Sequence, residues 1–536
     1  MILVSLFFII LYQLWYPGSR NVLLAIFGMA IFYSLLKREK ENFIFILFLG
    51  IPLLGFNIYI KLLLIGVLYT FYLKKREYFL ESKNLTVMYI GLFLLLLLSG
   101  SLNSMISAFF GYFNRSSAIE QDTLHFFNVV KTVREAGAIP YDLVAKRISG
   151  SVLLFFFSAI GYVLILIRFP VMIITLPSVI IGLMAYKLGL RFTIYAVPFF
   201  ALGFSYLAVL ISEHLSKLLI DEKVSKYTKI GLPIILILPS LYLNRVHAID
   251  YKTPTTLIKP EVETLFKLSK IATPQDYVLT WWDYGYPIRY YANVKTLIDG
   301  GKHSGEDNFP VSFALTQNQI KAANIARLNV EYTDKVEVAK ELGQNLTTKG
   351  FIKDMMKEYG FKNPNEFLNA LGDKNFTLPK KTRDVYFYFP FRMTDIYPTV
   401  ALFSSIDLVT GKVDQPFIIP TSVANVSDKF IQFSNGMVLD LKRGSLVLNK
   451  SQAAPINRFY ISFYDKNGKF RVIKQQVNPA SNVNIVWYKT LNKVLIVSNS
   501  YFDSTYVQMF FLENYDKELF EPVILNPFVK IYKLKK

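Results

Sequence analysis

Tyr277-Val278-Leu279-Thr280 runs directly into Trp281-Trp282-Asp283-Tyr284-Gly285-Tyr286-Pro287. The first four residues read as a strand and the next seven as the turn that ends it. The stretch begins about thirty residues after the last strongly apolar run, so the strand belongs to a water-exposed domain. Two adjacent indoles and a carboxylate can wall a rigid pocket with one anionic side. Such a pocket suits a small hydroxyl or amide, because the indole N–H donates, the carboxylate accepts and the rings exclude water. Read from the residues alone, a second alternative stays open: an aromatic strand end packed into a core, with Asp283 capping the turn.

Working outward from this stretch, the chain divides in two. Of 536 residues, 53% are hydrophobic, with 46 Phe and 34 Tyr, and mean hydropathy is +0.34. A soluble chain of this length is rarely so apolar, which points to a polytopic membrane part. The apolar residues fill positions 1–248 and thin out sharply over 249–536, which predicts a transmembrane domain followed by a soluble domain. Cysteine is absent, so no disulfide framework exists. The net charge of +20 suits anionic lipid headgroups and a phosphate-bearing substrate. No recognition motif for nucleic acid accompanies it.

About nine spans are expected, at roughly 1–16, 20–36, 42–58, 59–73, 87–104, 150–167, 169–187, 192–212 and 229–246. The loops Lys37-Arg38-Glu39-Lys40 and Lys74-Lys75-Arg76, and the stretch 213–229 with Lys217, Lys223, Lys226 and Lys229, are basic and therefore cytoplasmic. Alternation then places the long loop 105–149 and everything after 246 outside the cytoplasm. Within the soluble half, helices are expected near 259–270, 316–330, 334–342, 349–359 and 364–371. Residues 384–536 alternate as strands, with turns at Gly411-Lys412, Asn435-Gly436 and Asn467-Gly468. The fold class is thus a polytopic α-helical membrane domain followed by a mixed α/β soluble domain with a β-rich C-terminal part.

Trp281 to Gly285 reads WWDYG, and the sequence continues YPIRYYANVKTLIDGGKH. This resembles the signature of the oligosaccharyltransferase catalytic subunit in its bacterial single-subunit form, from about residue 10 to the C-terminus. The resemblance implies a GT-C-like membrane domain and the transfer of a glycan from a lipid-linked oligosaccharide (a polyprenyl diphosphate donor) to the asparagine amide of Asn-X-Ser/Thr in acceptor proteins. It further implies a bacterial cytoplasmic membrane with the soluble domain in the periplasm. Trp281, Trp282 and Asp283 would grip the acceptor's Ser/Thr hydroxyl, and acceptors without that hydroxyl would leave buried polar groups unpaired.

The same resemblance assigns further residues. Thr132-Val133-Arg134-Glu135 matches a Thr-Ile-x-Glu motif apart from Val133, and it implies that Glu135 binds a divalent metal, Mn²⁺ or Mg²⁺, and the acceptor amide. An amide nitrogen is a poor nucleophile because its lone pair is delocalised. Carboxylates bonded to its N–H groups weaken that conjugation, and a hard cation neutralises the leaving diphosphate. Arg147 would pair with an acidic residue two positions before the acceptor asparagine. Taken alone, it is an ordinary interfacial anchor. Arg191, in Gly189-Leu190-Arg191-Phe192-Thr193, would contact the lipid diphosphate, where the plain alternative is a snorkelling arginine. Tyr16, Tyr286 and His303 would lie near the donor. Met393 and Ile396, three apart on one helical face, would buttress the WWDYG pocket rather than serve only as core.

In the family, aspartates of earlier external loops complete the metal site, and no counterpart precedes residue 130 in order. The expectation is therefore that the chain alone does not turn over and lacks an N-terminal part, because it is a fragment, because its start is misassigned, or because a separate N-terminal segment supplies the front half. The rival from another class is a non-catalytic membrane protein that binds sequon peptides. Six Asn-X-Ser/Thr sites occur, at Asn84, Asn114, Asn345, Asn375, Asn425 and Asn449, and only Asn375 has an acid, Asp373, at minus two.

Overall fold

The computed structural model describes residues 2–15, 19–37, 39–103, 106, 118–121, 124–133, 137–245, 249, 252, 255–344, 346, 352–449 and 452–536. They form two compact units, one of residues 1–115 with 133–253, the other of residues 116–132 with 254–536.

The first unit is helical because long apolar runs in lipid must satisfy their backbone amides, and a helix does so within its own segment. Its helices include Ile2–Trp15, Ser19–Lys37, Lys40–Gly50, Ile58–Lys74, Ser82–Leu98, Val152–Arg168, Val197–Lys217 and Glu222–Arg245. Among the described residues, three segments are long and apolar enough to cross a membrane: Pro170–Leu188, Val197–Lys217 and Glu222–Arg245. The pair Tyr141–Ser149 and Val152–Arg168, bent by 69°, would make a fourth. Some of the earlier helices fall short of the spans expected of them, and others, such as Ser19–Lys37 and Ile58–Lys74, match or exceed them. Ile2–Trp15 has 14 residues, about 21 Å against a hydrocarbon core of about 30 Å. The span expected over 42–58 is interrupted: the helix stops at Gly50, Ile51–Leu53 forms a 3₁₀ turn around Pro52, and Asn57 caps a new helix by accepting from the Ile60 amide at 3.0 Å. Helices Val152–Arg168 and Val197–Lys217 cross at two glycines. A Cβ on Gly161 would lie 1.9 Å from the Gly203 carbonyl oxygen, so only glycine permits this approach.

The second unit is built on a five-stranded sheet, in order Phe520–Leu525, Val529–Leu534, Val385–Pro390, Tyr277–Leu279 and Lys295–Thr296. Val385–Pro390 lies at its centre, antiparallel to Val529–Leu534 and parallel to Tyr277–Leu279, and all six of its residues are buried. A continuous apolar run of this kind is what a strand covered on both faces requires. The helices expected over 316–330 and 334–342 are one helix, Gln319–Glu341, capped by Asn318, because no glycine or proline separates them. Two further five-stranded sheets make the C-terminal part β-rich, and their shared core includes Ile431, Phe433, Leu446 and Trp487. The expected turn glycines Gly411, Gly436 and Gly468 all have positive φ, from 71° to 88°.

Residues 116–132 fold with this second unit. Ala118–Gln121 and Leu124–Phe127 pair as an antiparallel hairpin, and the His125 amide donates to the Leu408 carbonyl at 2.8 Å. A Cβ on Gly305 would stand 2.3 Å from the Phe127 carbonyl oxygen, which makes glycine necessary for the hairpin to lie this close.

Candidate functional site

The strand Tyr277–Leu279 delivers the WWDYG stretch to the sheet's end. Trp282–Tyr284 forms one 3₁₀ turn, and the helix Gly285–Ala292 follows at once. The final glycine is needed here: a Cβ on Gly285 would lie 2.5 Å from the Asp299 Cβ and 2.7 Å from the Ile298 carbonyl oxygen. Tightness at this point aims the two tryptophans in different directions.

Trp281 points inward. It is 1% exposed and meets Phe403 edge-on at 5.1 Å. Trp282 is half-buried and lies against His303, ring centroids 4.7 Å apart and planes 27° from parallel. Its indole Nε1 is buried with no hydrogen-bond partner, as is the His303 Nδ1. Asp283 is exposed at the turn, yet desolvation raises its carboxyl above the ordinary carboxylate range, while neighbouring His303 and its own backbone amide act in the opposite sense. Trp282 thus carries a buried N–H donor without a partner, and the next residue along the turn carries a carboxylate acceptor; together the two groups supply the chemistry that one hydroxyl needs.

Asp299 holds the other side of the site. Its carboxylate accepts from the Gly301 amide at 2.8 Å, the Lys302 amide at 3.1 Å and the Arg289 guanidinium at 2.5 Å. Tyr286 is 57% exposed, with its ring close enough to Gly300 that a Cβ there would stand 2.6 Å away. Tyr286 also borders a groove of about 510 Å³ with Thr255, Leu257, Val262, Pro287 and Tyr290.

Met393 and Ile396 lie in the first turn of the helix Met393–Ser404, Met393 fully buried and Ile396 partly so. Phe403, which touches Trp281, is seven residues beyond Ile396 on the same face, roughly 10 Å along the axis. One helix therefore carries both the expected pair and the residue that backs the motif. Phe403, Asp299 and Arg289 were not singled out in the sequence. The buried Asp299 had a signal, an acid before two glycines, which is turn chemistry.

In the first unit, Arg147 is exposed on the helix Tyr141–Ser149, and Arg191 is exposed on the 3₁₀ segment Leu190–Tyr195, its guanidinium 5.6 Å from the Phe192 ring centroid. Their elements share one small core, which includes Val144, Ile148, Ala196 and Phe192. Glu135 and Tyr16 lie outside the described residues. Among the described residues, no three His, Asp or Glu side chains gather as a divalent ion would require.

Residues 274–410 match the STT3/PglB/AglB core domain, and residues 417–497 match the STT3/PglB C-terminal β-barrel domain. Two proteins named undecaprenyl-diphosphooligosaccharide–protein glycotransferase, from Campylobacter jejuni strain RM1221 and from C. jejuni subsp. jejuni serotype O:2, are each 37% identical over 98% of this chain and 74% of their own length. The crystal structure of the C. jejuni PglB C-terminal domain is 38% identical, covering 52% of this chain and 100% of that one, with a TM-score of 0.45. With this identity sustained over nearly its whole length, the chain belongs to the undecaprenyl-diphosphooligosaccharide–protein glycotransferases, the bacterial single-subunit oligosaccharyltransferases.

Proposed function

We propose that this chain transfers an oligosaccharide from a polyprenyl diphosphate to the asparagine amide of Asp/Glu-X-Asn-X-Ser/Thr acceptors. The observation that supports this reading is the WWDYG turn, where Trp282 leaves its buried Nε1 without a partner and the next residue, Asp283, offers a carboxylate: a donor and an acceptor of the kind the Ser/Thr hydroxyl needs. In the reaction a bond forms between the acceptor amide nitrogen and the anomeric carbon of the first sugar. The bond from that carbon to the diphosphate breaks, and the nitrogen gives up one proton. The chain's own part is to hold the acceptor by its hydroxyl so that the amide faces the donor. Met393 and Ile396 buttress that pocket, with the fully buried Met393 behind and the partly buried Ile396 touching the acceptor threonine's methyl. Arg147 pairs with the acid at minus two. Arg191, with Tyr286, His303 and Tyr16, faces the donor diphosphate and sugar.

A divalent cation, Mn²⁺ or Mg²⁺, held in part by Glu135, would neutralise the leaving diphosphate. Family resemblance alone supports that assignment, and the described residues offer no cluster that fits an ion. Family resemblance supports a multi-pass protein of the bacterial cytoplasmic membrane, and the Lys and Arg distribution supports residues 1–248 as its transmembrane domain, with the loop 105–149 and residues 249–536 on the periplasmic side.

The test is transfer in detergent to a fluorescent Asp-X-Asn-X-Thr peptide, with lipid-linked oligosaccharide and Mn²⁺. Asp283→Asn is expected to raise the acceptor KM and leave the donor KM in place. Tight peptide binding with no transfer under any donor or metal condition would overturn the enzyme reading in favour of a sequon-binding protein.

A further inference from the structure

We infer that the groove beside Tyr286 binds the donor's glycan beyond its first sugar, with Tyr290 as the ring on which the next sugar lies. This inference rests on the function proposed above, which puts Tyr286 at the donor sugar, and it extends that site along one helix.

The groove holds about 510 Å³. Thr255 and Thr256 line it together with Tyr286, Tyr290 and Tyr291, and among the described residues no charged side chain does. Such a lining suits a neutral ligand rich in hydroxyls. The C–H groups of a sugar ring are slightly positive and are drawn to the negative face of a tyrosine ring, while the sugar hydroxyls exchange hydrogen bonds with those of tyrosine and threonine. A diphosphate would call for cations in the groove, and so would an acceptor segment with an acid at minus two.

Tyr286 and Tyr290 stand four residues apart on the helix Gly285–Ala292, so they share one face, about 6 Å apart along the axis. Tyr286 is 57% exposed and Tyr290 is 80% exposed. Single exposed tyrosines are ordinary surface. Here two stand in register in one concave site, and the exposed Thr255 and Thr256 bring further hydroxyls to it. The helix and its rings are held in place. Tyr291 meets Tyr290 edge-on with ring centroids 4.9 Å apart, and it meets Phe266, on the helix Lys259–Leu268, at 5.6 Å. Arg289, between the two exposed tyrosines in sequence, ties the helix to Asp299. Tyr286 also abuts the glycine loop, where a Cβ on Gly300 would stand 2.6 Å from its ring. Tyr286 thus belongs both to the surroundings of the motif and to the groove, and a glycan whose first sugar meets Tyr286 continues onto Tyr290. Contacts to sugars that do not react are made equally before and during transfer, so they set the donor KM rather than kcat.

The experiment uses the full chain in detergent, a fluorescent Asp-X-Asn-X-Thr peptide and two donors. One donor is the lipid-linked oligosaccharide of a glycan-producing host, and the other is the same donor trimmed by exoglycosidases to its first sugar. Tyr290→Ala is expected to raise the KM of the full donor about fivefold, the scale of one aromatic contact, and to keep the KM of the trimmed donor. Tyr290→Trp, which keeps a ring, is expected to stay close to wild type with both. An equal rise with both donors, a rise in the acceptor KM instead, or no change at all would overturn the inference. So would a loss as large in the tryptophan variant as in the alanine variant, with both folded by thermal melt. Transfer in phosphatidylglycerol vesicles is the remaining arm: a loss seen only there, and equal for both donors, would make Tyr290 a membrane contact and overturn the inference. Binding of the oligosaccharide released from the donor, read by saturation-transfer NMR, separates this inference from the proposed function. Wild-type chain that transfers nothing from either donor, yet binds the free glycan and loses it in Tyr290→Ala, would sink the proposed reaction and keep the glycan site. Wild-type chain that transfers but gives no glycan signal, with equal KM for the two donors, would keep the reaction and sink the site.

Discussion

Phe127 and Phe403 pack with ring centroids 5.1 Å apart, and Phe403 meets Trp281 at the same distance. The loop segment before Glu135 is thereby joined to the WWDYG motif through one side chain, although about 150 residues separate them in sequence.

Replacing Phe403 by alanine is therefore expected to do two things at once. Removing a fully buried ring costs about 3–5 kcal/mol. Trp281 and the Leu124–Phe127 strand would lose the surface they share, so transfer should fall by more than the unfolded fraction explains. Phe403→Leu should be milder on both counts. Denaturant midpoints, read beside transfer rates at a temperature where both variants stay folded, separate the two effects.

Asp283 predicts an acidic limb in the pH profile of acceptor binding. Its carboxyl is pushed up by desolvation, so it is protonated at a higher pH than an exposed aspartate. Only the ionised form accepts the hydroxyl's bond without offering a competing proton. Peptide affinity should fall as pH drops through the raised value, above the ordinary aspartate range. The sign for stability is opposite: a carboxyl whose folded value is raised stabilises the fold at low pH, and that contribution is lost as pH rises and the charge is desolvated. Asp283→Asn should abolish the limb and hold or raise the melting temperature at neutral pH. An unchanged limb in that variant would assign it to another group.

The sequence made some of this legible and hid the rest for identifiable reasons. The buried strand at 385–390 was readable because Val385-Tyr386-Phe387-Tyr388-Phe389 is apolar without interruption. The break at Gly50 to Leu54 was not read, because the apolar run continues through Pro52 and hydropathy does not register a proline. The helix Gln319–Glu341 looked like two because charged residues return midway, although many of the residues around that point are buried. The site was legible as a motif. The stack of His303 on Trp282 was not, since contact between residues 21 apart depends on a loop register that only the Asp299 contacts reveal.

Lys530 predicts a stability change in alkali. It is fully buried against Phe470, at 4.0 Å from that ring's centroid, and donates to the Phe510 carbonyl at 2.6 Å and to Glu513 at 2.9 Å. Burial lowers its pKa to about 8, and Glu513 opposes the shift. A lysine depressed in the folded state contributes stability above its unfolded pKa and loses it as pH falls through the folded one. Wild-type stability should therefore gain up to about 3 kcal/mol relative to Lys530→Met as pH rises from about 8 towards 10. Above that range the buried tyrosines, whose pKa values are raised, push the other way. Melting temperatures of the two chains across this window give the slope. Parallel curves would mean that Glu513 holds Lys530 charged throughout.

Asn375 is the residue of this chain best suited to receive its own product. Asn375 is exposed in a turn, whereas the Asn84 amide is tied to the Tyr78 carbonyl and the Glu81 carboxylate. Asp373 supplies the acid at minus two and Thr377, also exposed, the hydroxyl at plus two. In the folded unit the same residues are engaged with each other. The Asp373 carboxylate accepts from the Asn375 amide at 2.9 Å, and Phe376 packs against Tyr359 at 5.0 Å. A sequon seated in the Trp282–Asp283 pocket must leave that turn, so occupancy should depend on how easily Phe376 lets go. Phe376→Ala should raise occupancy at Asn375, and Asp373→Ala should lower it by removing the partner proposed for Arg147. Peptide mass spectrometry of chain made in a glycan-producing host reads both. Preferential modification at Asn345, which has no acid at minus two, would sink the assignment of Arg147.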